Sequence, residues 1–150
     1  MKYLSIIVFT FVLFACDTNA PTAPERKTGI PENAVWAGGV DGGAWILCNR
    51  IGTEQYSCTI YNEFTGSIMA KGVFLHRKIF YDVKTKELKI QPASNTNTLP
   101  SYNYYDGEFI KLKGEEALVP DGEVIWPFDE EHGKKQYFKN GIAVGQEVQY

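Results

Sequence analysis

Few side chains in this 150-residue sequence are chemically reactive, so each can be weighed by type and spacing. Cysteines stand at 16, 48 and 58 and histidines at 76 and 132; one segment, Asp129-Glu130-Glu131-His132, gathers three carboxylates and an imidazole. Such a run could hold a divalent cation, but it lacks the alternating oxygen ligands of a calcium loop and reads as a solvated acidic turn between Pro127 and Gly133. Gly38-Gly39-Val40-Asp41-Gly42-Gly43 could cradle a phosphate. Phosphate loops, however, feed a helix N-terminus or carry a lysine at fixed spacing, so the cluster reads as a tight turn. No Gly-x-Ser-x-Gly, no His-Glu-x-x-His and no Cys-x-x-Cys occurs. The expectation is a non-catalytic protein with no cofactor and no metal centre.

Two features suit recognition better than catalysis. Ser101-Tyr102-Asn103-Tyr104-Tyr105-Asp106 is rich in tyrosine, which offers large contact area with few rotors and a polar tip. Tyr102, Tyr104 and Tyr105 either meet a partner, or two of the three pack down and anchor the segment on a sheet. The second feature is the apolar set Trp45, Leu47, Thr59 and Tyr61. Nucleic acid is excluded as a partner, because a formal charge of −3 and a pI near 5.4 supply no basic face to displace counterions.

The elements that must position these residues read as strands. If Cys48 faces Cys58 across an antiparallel hairpin, Ile46 faces Ile60, Ala44 faces Asn62 and Arg50 faces Tyr56, around the loop Ile51–Gln55. Residues 46, 48, 58 and 60 then share one face, as strand alternation requires, and a structural disulfide follows. The opposite face carries Trp45, Leu47, Thr59 and Tyr61, too apolar for a solvated surface. Either a second layer covers it or it is a recognition patch, with Trp45 as its largest contact.

Strand signals recur every eight to fifteen residues through the remainder, and helix signals are nearly absent. Val35–Ala37, Ala44–Asn49, Tyr56–Asn62 and Ser67–Leu75 form a meander with a bulge at Gly72. Ile79–Val83 and Glu87–Gln91 flank a hairpin turn at Lys84-Thr85-Lys86. Asn95–Tyr105 has no clear period and is expected to be a loop. Asp106-Gly107 and Asp121-Gly122 are turn signals, followed by strands Glu108–Leu112 and Glu123–Trp126. Asn140-Gly141 between two apolar runs is the strongest hairpin signal, because both residues accept positive φ. The fold expected is all-β, an antiparallel sandwich or small barrel built from hairpins with one disulfide. Tyr137, Phe138, Asn140 and Gly141 resemble one unit of MORN-type hairpin repeats; no second unit follows.

The N-terminus supplies an address. Lys2 precedes an uncharged apolar run, Tyr3–Ala15, shorter than the roughly 20 residues that span a bilayer and suited to a signal peptide. Leu13-Phe14-Ala15-Cys16 resembles the lipobox of bacterial lipoproteins, with Phe14 bulkier than the usual residue there. That resemblance implies that Cys16 becomes the lipidated N-terminus of a membrane-tethered, periplasm-facing protein of the bacterial cell envelope. The division expected is a leader over 1–15, the lipidated Cys16 with a flexible, proline-containing tether over 16–33, and one β domain over 34–150. Losing the leader removes Lys2 and no acid, leaving the mature chain one unit more negative.

Size, anchor, acidity and a single disulfide resemble the small lipoprotein inhibitors of lysozyme, although their Ser-Gly inhibitory motif has no match here. The functional expectation is a binding module for a basic protein, such as a secreted toxin or cell-wall hydrolase, with fast electrostatically steered association. The alternative is a structural or assembly accessory of an envelope complex.

Overall fold

The computed structural model describes residues 22–150; the leader and Cys16 lie outside this range. Ten strands, and no helix among the described residues, form one antiparallel sheet. The strands are β1 (Val35–Gly39), β2 (Gly42–Arg50), β3 (Gln55–Asn62), β4 (Ile68–Asp82), β5 (Glu87–Pro92), β6 (Tyr102–Tyr105), β7 (Ile110–Leu112), β8 (Glu116–Pro127), β9 (Gly133–Lys139) and β10 (Ile142–Gln149).

The main path runs β1-β2-β3-β4-β8-β7-β6. It rolls until β6 lies against β1 and β2, but no ladder joins these edges and the sheet is not closed into a barrel. The long strands β4 and β8 let the sheet branch. β5 continues along the edge of β4 beyond β3, and β9 along the edge of β8 beyond β7, with β10 outside β9.

Alternation fills the inside of this roll with Ile46, Cys58, Ile60, Ala70, Phe74, Ile110, Leu112, Leu118, Val124 and Phe138, all nearly inaccessible. Burial of this order, at about 25 cal/mol per Å² of apolar surface, is the main favourable contribution to folding. A smaller cluster of Leu75, Ile79, Phe109, Ala117 and Val119 forms on the outer side.

The hairpin register expected from the cysteines is the one observed: Cys48 pairs with Cys58, Ile46 with Ile60, Ala44 with Asn62 and Arg50 with Tyr56. The disulfide between the two sulfurs is formed, with Cα atoms 4.1 Å apart. The β4–β8 ladder shifts register between Gly72 and Phe74, at the expected bulge. The Asn140-Gly141 turn is also observed, with φ of 49° and 80° at its two residues.

Other expectations are corrected. Tyr102–Tyr105 is a strand and not part of a loop: it pairs with β7, in a ladder that is irregular between Tyr102 and Tyr104. The irregularity turns both Tyr102 and Tyr105 onto the core, a spacing of three that hides the period-two signature. Asp121-Gly122 does not reverse the chain; it lies within β8, with Gly122 at φ 114°. Ile79–Val83 is not a separate strand; its residues through Asp82 continue β4.

The expected tether behaves differently in its second half. Residues 26–34 fold back over the outer face of β2 and β3 through turns in which Ile30 N–H donates to Lys27 O and Ala34 N–H to Pro31 O. Ile30 and Ala34 are buried there with Trp45 and Tyr61. The guanidinium of Arg26 stacks 4.3 Å from the Trp45 ring and donates to the carbonyls of Pro31 and Ala34. This strap is the second layer that the apolar face demanded.

Candidate functional site

The strap settles the position of Trp45: only 5% exposed and beneath Arg26, it has almost no surface to offer a partner. Its neighbour Trp36 explains the glycine cluster. A Cβ on Gly38 or Gly43 would lie 2.8 or 2.7 Å from the Trp36 ring, so paired glycines make the floor on which the indole rests. The reversal itself is only Val40-Asp41, between Gly39 and Gly42.

The tyrosines divide. Tyr102 and Tyr105 pack on the core, whereas Tyr104 is 46% exposed. Tyr105 Oη donates to Gly107 O at 2.6 Å and accepts from Trp126 Nε1 at 3.2 Å. Burial pushes the Tyr105 hydroxyl up to about 12, against the smaller opposing effect of the Trp126 hydrogen bond. Burial, then the neighbouring Tyr56, also raises Tyr102. These two rings thus act as anchors of β6, and Tyr104 alone is presented to solvent.

His76 is fully buried and shares a 2.8 Å hydrogen bond between Nε2 and Glu116 Oε2; its Nδ1 has no partner. His132 is in the exposed acidic turn, with Nδ1 3.0 Å from both oxygens of Asp129. The two imidazoles are on different elements at opposite ends of β8 and form no joint site. Among the described residues no group of three or more His, Cys, Asp or Glu side chains is arranged to hold a metal ion.

What the fold does bring together is a set of turns. The ladders place β1–β2 (40–41), β3–β4 (63–67), β6–β7 (106–109) and β8–β9 (128–132) at one end of the roll. Trp126 Nε1, 3.3 Å from Gly107 O, ties two of them. These turns contain Asp41, Glu63, Asp106, Glu108, Asp129, Glu130 and Glu131, and neither Lys nor Arg. Lys111 from β7 pairs with Asp106 at 3.3 Å, and Asp129 pairs with His132. The Asp129 carboxyl is held below the usual carboxylate range, first by the backbone N–H groups of Glu131 and His132 and then by the His132 ring. At the other end, turns 51–54, 83–86 and 113–115 carry Lys84, Lys86 and Lys113 against Glu54 and Glu115. The domain is therefore polarised in charge along its length.

The acidic end also has apolar tips: Val40 is 91%, Phe64 75% and Phe128 64% exposed. A shallow hollow of about 370 Å³ lies between the β3–β4 and β8–β9 turns, lined by Ser67, Ile68, Pro127, Phe128, Asp129 and Glu130. A second, of about 340 Å³, includes Val40, Asp41, Glu63 and Phe64 together with Thr22 and Pro24, where the described chain begins. Apolar pockets rimmed by exposed carboxylates can seat apolar anchors flanked by cations.

Of this end the sequence marks Asp129-Glu130-Glu131 as a solvated acidic turn, the glycine cluster around Asp41 as a tight turn and Asp106-Gly107 as a turn beside the tyrosines, without showing that these turns lie together. The available signal was the sign of charge on turns at the same end of the meander. Comparison with known proteins adds no constraint: no family model matches the chain, and neither a characterised protein nor a solved structure matches it at a significant level.

Proposed function

We propose that the chain is a lipid-tethered envelope protein whose β domain is a non-catalytic binding module for a cationic protein, acting as an inhibitor or immunity protein against a secreted toxin or cell-wall hydrolase. The observation that carries this reading is the charge-polarised domain with apolar tips on its acidic end. Carboxylates there would speed the approach of a basic partner, and the tips would supply the desolvated contacts that hold it. The lipobox-like Leu13-Phe14-Ala15-Cys16 supports the tether.

Immobilising the chain from residue 16, with Cys16→Ser, beside its Asp129→Lys/Glu130→Lys/Glu131→Lys variant tests the reading against secreted proteins. Expected is a stoichiometric basic protein retained by the parent, lost from the variant and inactivated on binding. Identical retention by both, or retention without loss of the partner's activity, contradicts it.

A second reading, an accessory subunit of an envelope complex, is favoured by β10. This edge strand pairs only with β9 and every residue in it is exposed, with Ile142, Val144 and Val148 half-exposed or more. Such an edge can accept a strand from a partner. Co-purification with membrane proteins, lost when Val144→Lys is introduced, would favour this reading over the first.

A further inference from the structure

The first described residues, Thr22 and Pro24, lie in the hollow beside Val40, Asp41, Glu63 and Phe64. The chain therefore enters at the acidic end. Only five residues separate Cys16 from Thr22, and that stretch reaches at most about 20 Å. With lipid on Cys16, the acidic, apolar-tipped end must remain within that distance of the bilayer.

The gap selects the size of what can occupy it. A folded domain of about 100 residues has a radius of gyration near 13 Å and is too thick to enter. A single helix with its side chains is about 10–12 Å across and fits. The surface selects the chemistry: Phe64, Phe128, Val40 and Ile68 ask for an apolar stripe, and Glu63, Glu130 and Glu131 ask for Lys or Arg beside it. The bilayer itself is a poorer occupant, since the turns at this end carry seven carboxylates and neither Lys nor Arg, which the negative potential of anionic lipids repels.

We infer that the acidic end faces the membrane and captures a cationic amphipathic helical segment acting at the membrane surface, its apolar stripe on the Phe64 and Phe128 tips and its cations on the surrounding carboxylates. This deepens the proposed function, on which it rests, by narrowing the partner to a secreted toxin that acts through such a segment, a folded cell-wall hydrolase being too thick for the gap, and by naming the place of capture. The apolar face that would enter the bilayer is the one the tips cover.

The test uses a helix-forming amphipathic Leu/Lys peptide and, as a bulky cationic probe, folded lysozyme. With the lipid-free chain from residue 16 (Cys16→Ser), the peptide binds, and Asp129→Lys/Glu130→Lys/Glu131→Lys weakens it at least about tenfold, as expected for loss of close charge pairs. Lys84→Glu/Lys86→Glu at the far end leaves it unweakened. With the processed, lipidated chain in phosphatidylcholine vesicles, the peptide still binds and its release of trapped dye falls. Lysozyme is excluded until a long Gly/Ser linker is inserted after Pro21.

The outcomes separate the layers. If the lipid-free chain binds neither probe, or the triple variant binds the peptide unchanged, the acidic-end reading fails. If lysozyme reaches the lipidated chain as readily as the lipid-free one, capture at the membrane fails while that reading stands. If the lipid-free chain binds the vesicles without peptide and Phe64→Ser/Phe128→Ser abolishes this, the occupant is the bilayer and the inference is overturned.

Discussion

Tyr105 is the residue whose ionisation reports most directly on the way β6 is held. Its folded value of about 12 exceeds the ordinary tyrosine value of about 10, so the native state keeps the proton that the unfolded chain releases. Its contribution to stability is present in full below about pH 10 and is lost as pH rises toward about 12. Unfolding midpoints measured across this window should fall, and Tyr105→Phe should fall less, because Phe has no proton to lose. Equal slopes would mean that the hydroxyl is hydrated in the native state. Cys48–Cys58 acts through the unfolded chain: closing a loop with separation 10 stabilises by roughly 2–3 kcal/mol. Denaturant titration of Cys48→Ala/Cys58→Ala should show a loss of that size with the sheet retained in circular dichroism.

At the scale of elements, the strap and the β9–β10 turn are both short segments fixed by packing on the outer face. Ile30 is buried against Trp45 and Tyr61, so Ile30→Ala should cost about 2 kcal/mol or more and shift tryptophan emission to longer wavelength as Trp45 meets water. Unchanged emission would mean that the strap does not seal the indole. The β9–β10 turn is held by Gly141 N–H on Pro120 O, Asn140 N–H on Asp121 Oδ1 and Arg77 Nε on Asn140 Oδ1. Gly141 has φ 80° and a Cβ there would meet Val119 and Ile90 at 3.1 Å. Gly141→Ala should therefore destabilise by about 1 kcal/mol or more, read as a lower unfolding midpoint.

Local signals made the hairpins legible, since Cys48 with Cys58 fixes a register and Asn140-Gly141 fixes a turn. Tyr102–Tyr105 was not legible as a strand because its irregular ladder breaks the alternation that sequence reading depends on. The strap was hidden for another reason. Arg26, Ile30 and Ala34 recur every four residues, but Gly29 and Pro31 between them break any regular element, and only the uncovered apolar face of Trp45 and Tyr61 announced that something must lie there. Asp121-Gly122 shows the converse, a strong turn signal used as an irregularity within a long strand while Asp121 caps the neighbouring turn.

For the whole molecule, the organisation that matters is the sorting of charge between its ends. No single turn reveals it. Asp41, Glu63, Asp106, Glu108 and Asp129–Glu131 are far apart in sequence, and they share an end only once the order of strands is known. The proposed role requires that this end bind a cationic partner. Amide chemical shifts of the lipid-free chain, followed while the Leu/Lys peptide is added, test it most directly. Changes are expected to concentrate in residues 40–41, 63–68, 106–109 and 127–132 and to weaken as salt is raised, because exposed charges are screened. Changes centred on residues 83–86 and 113–115, or on β10, or none at all, would contradict it.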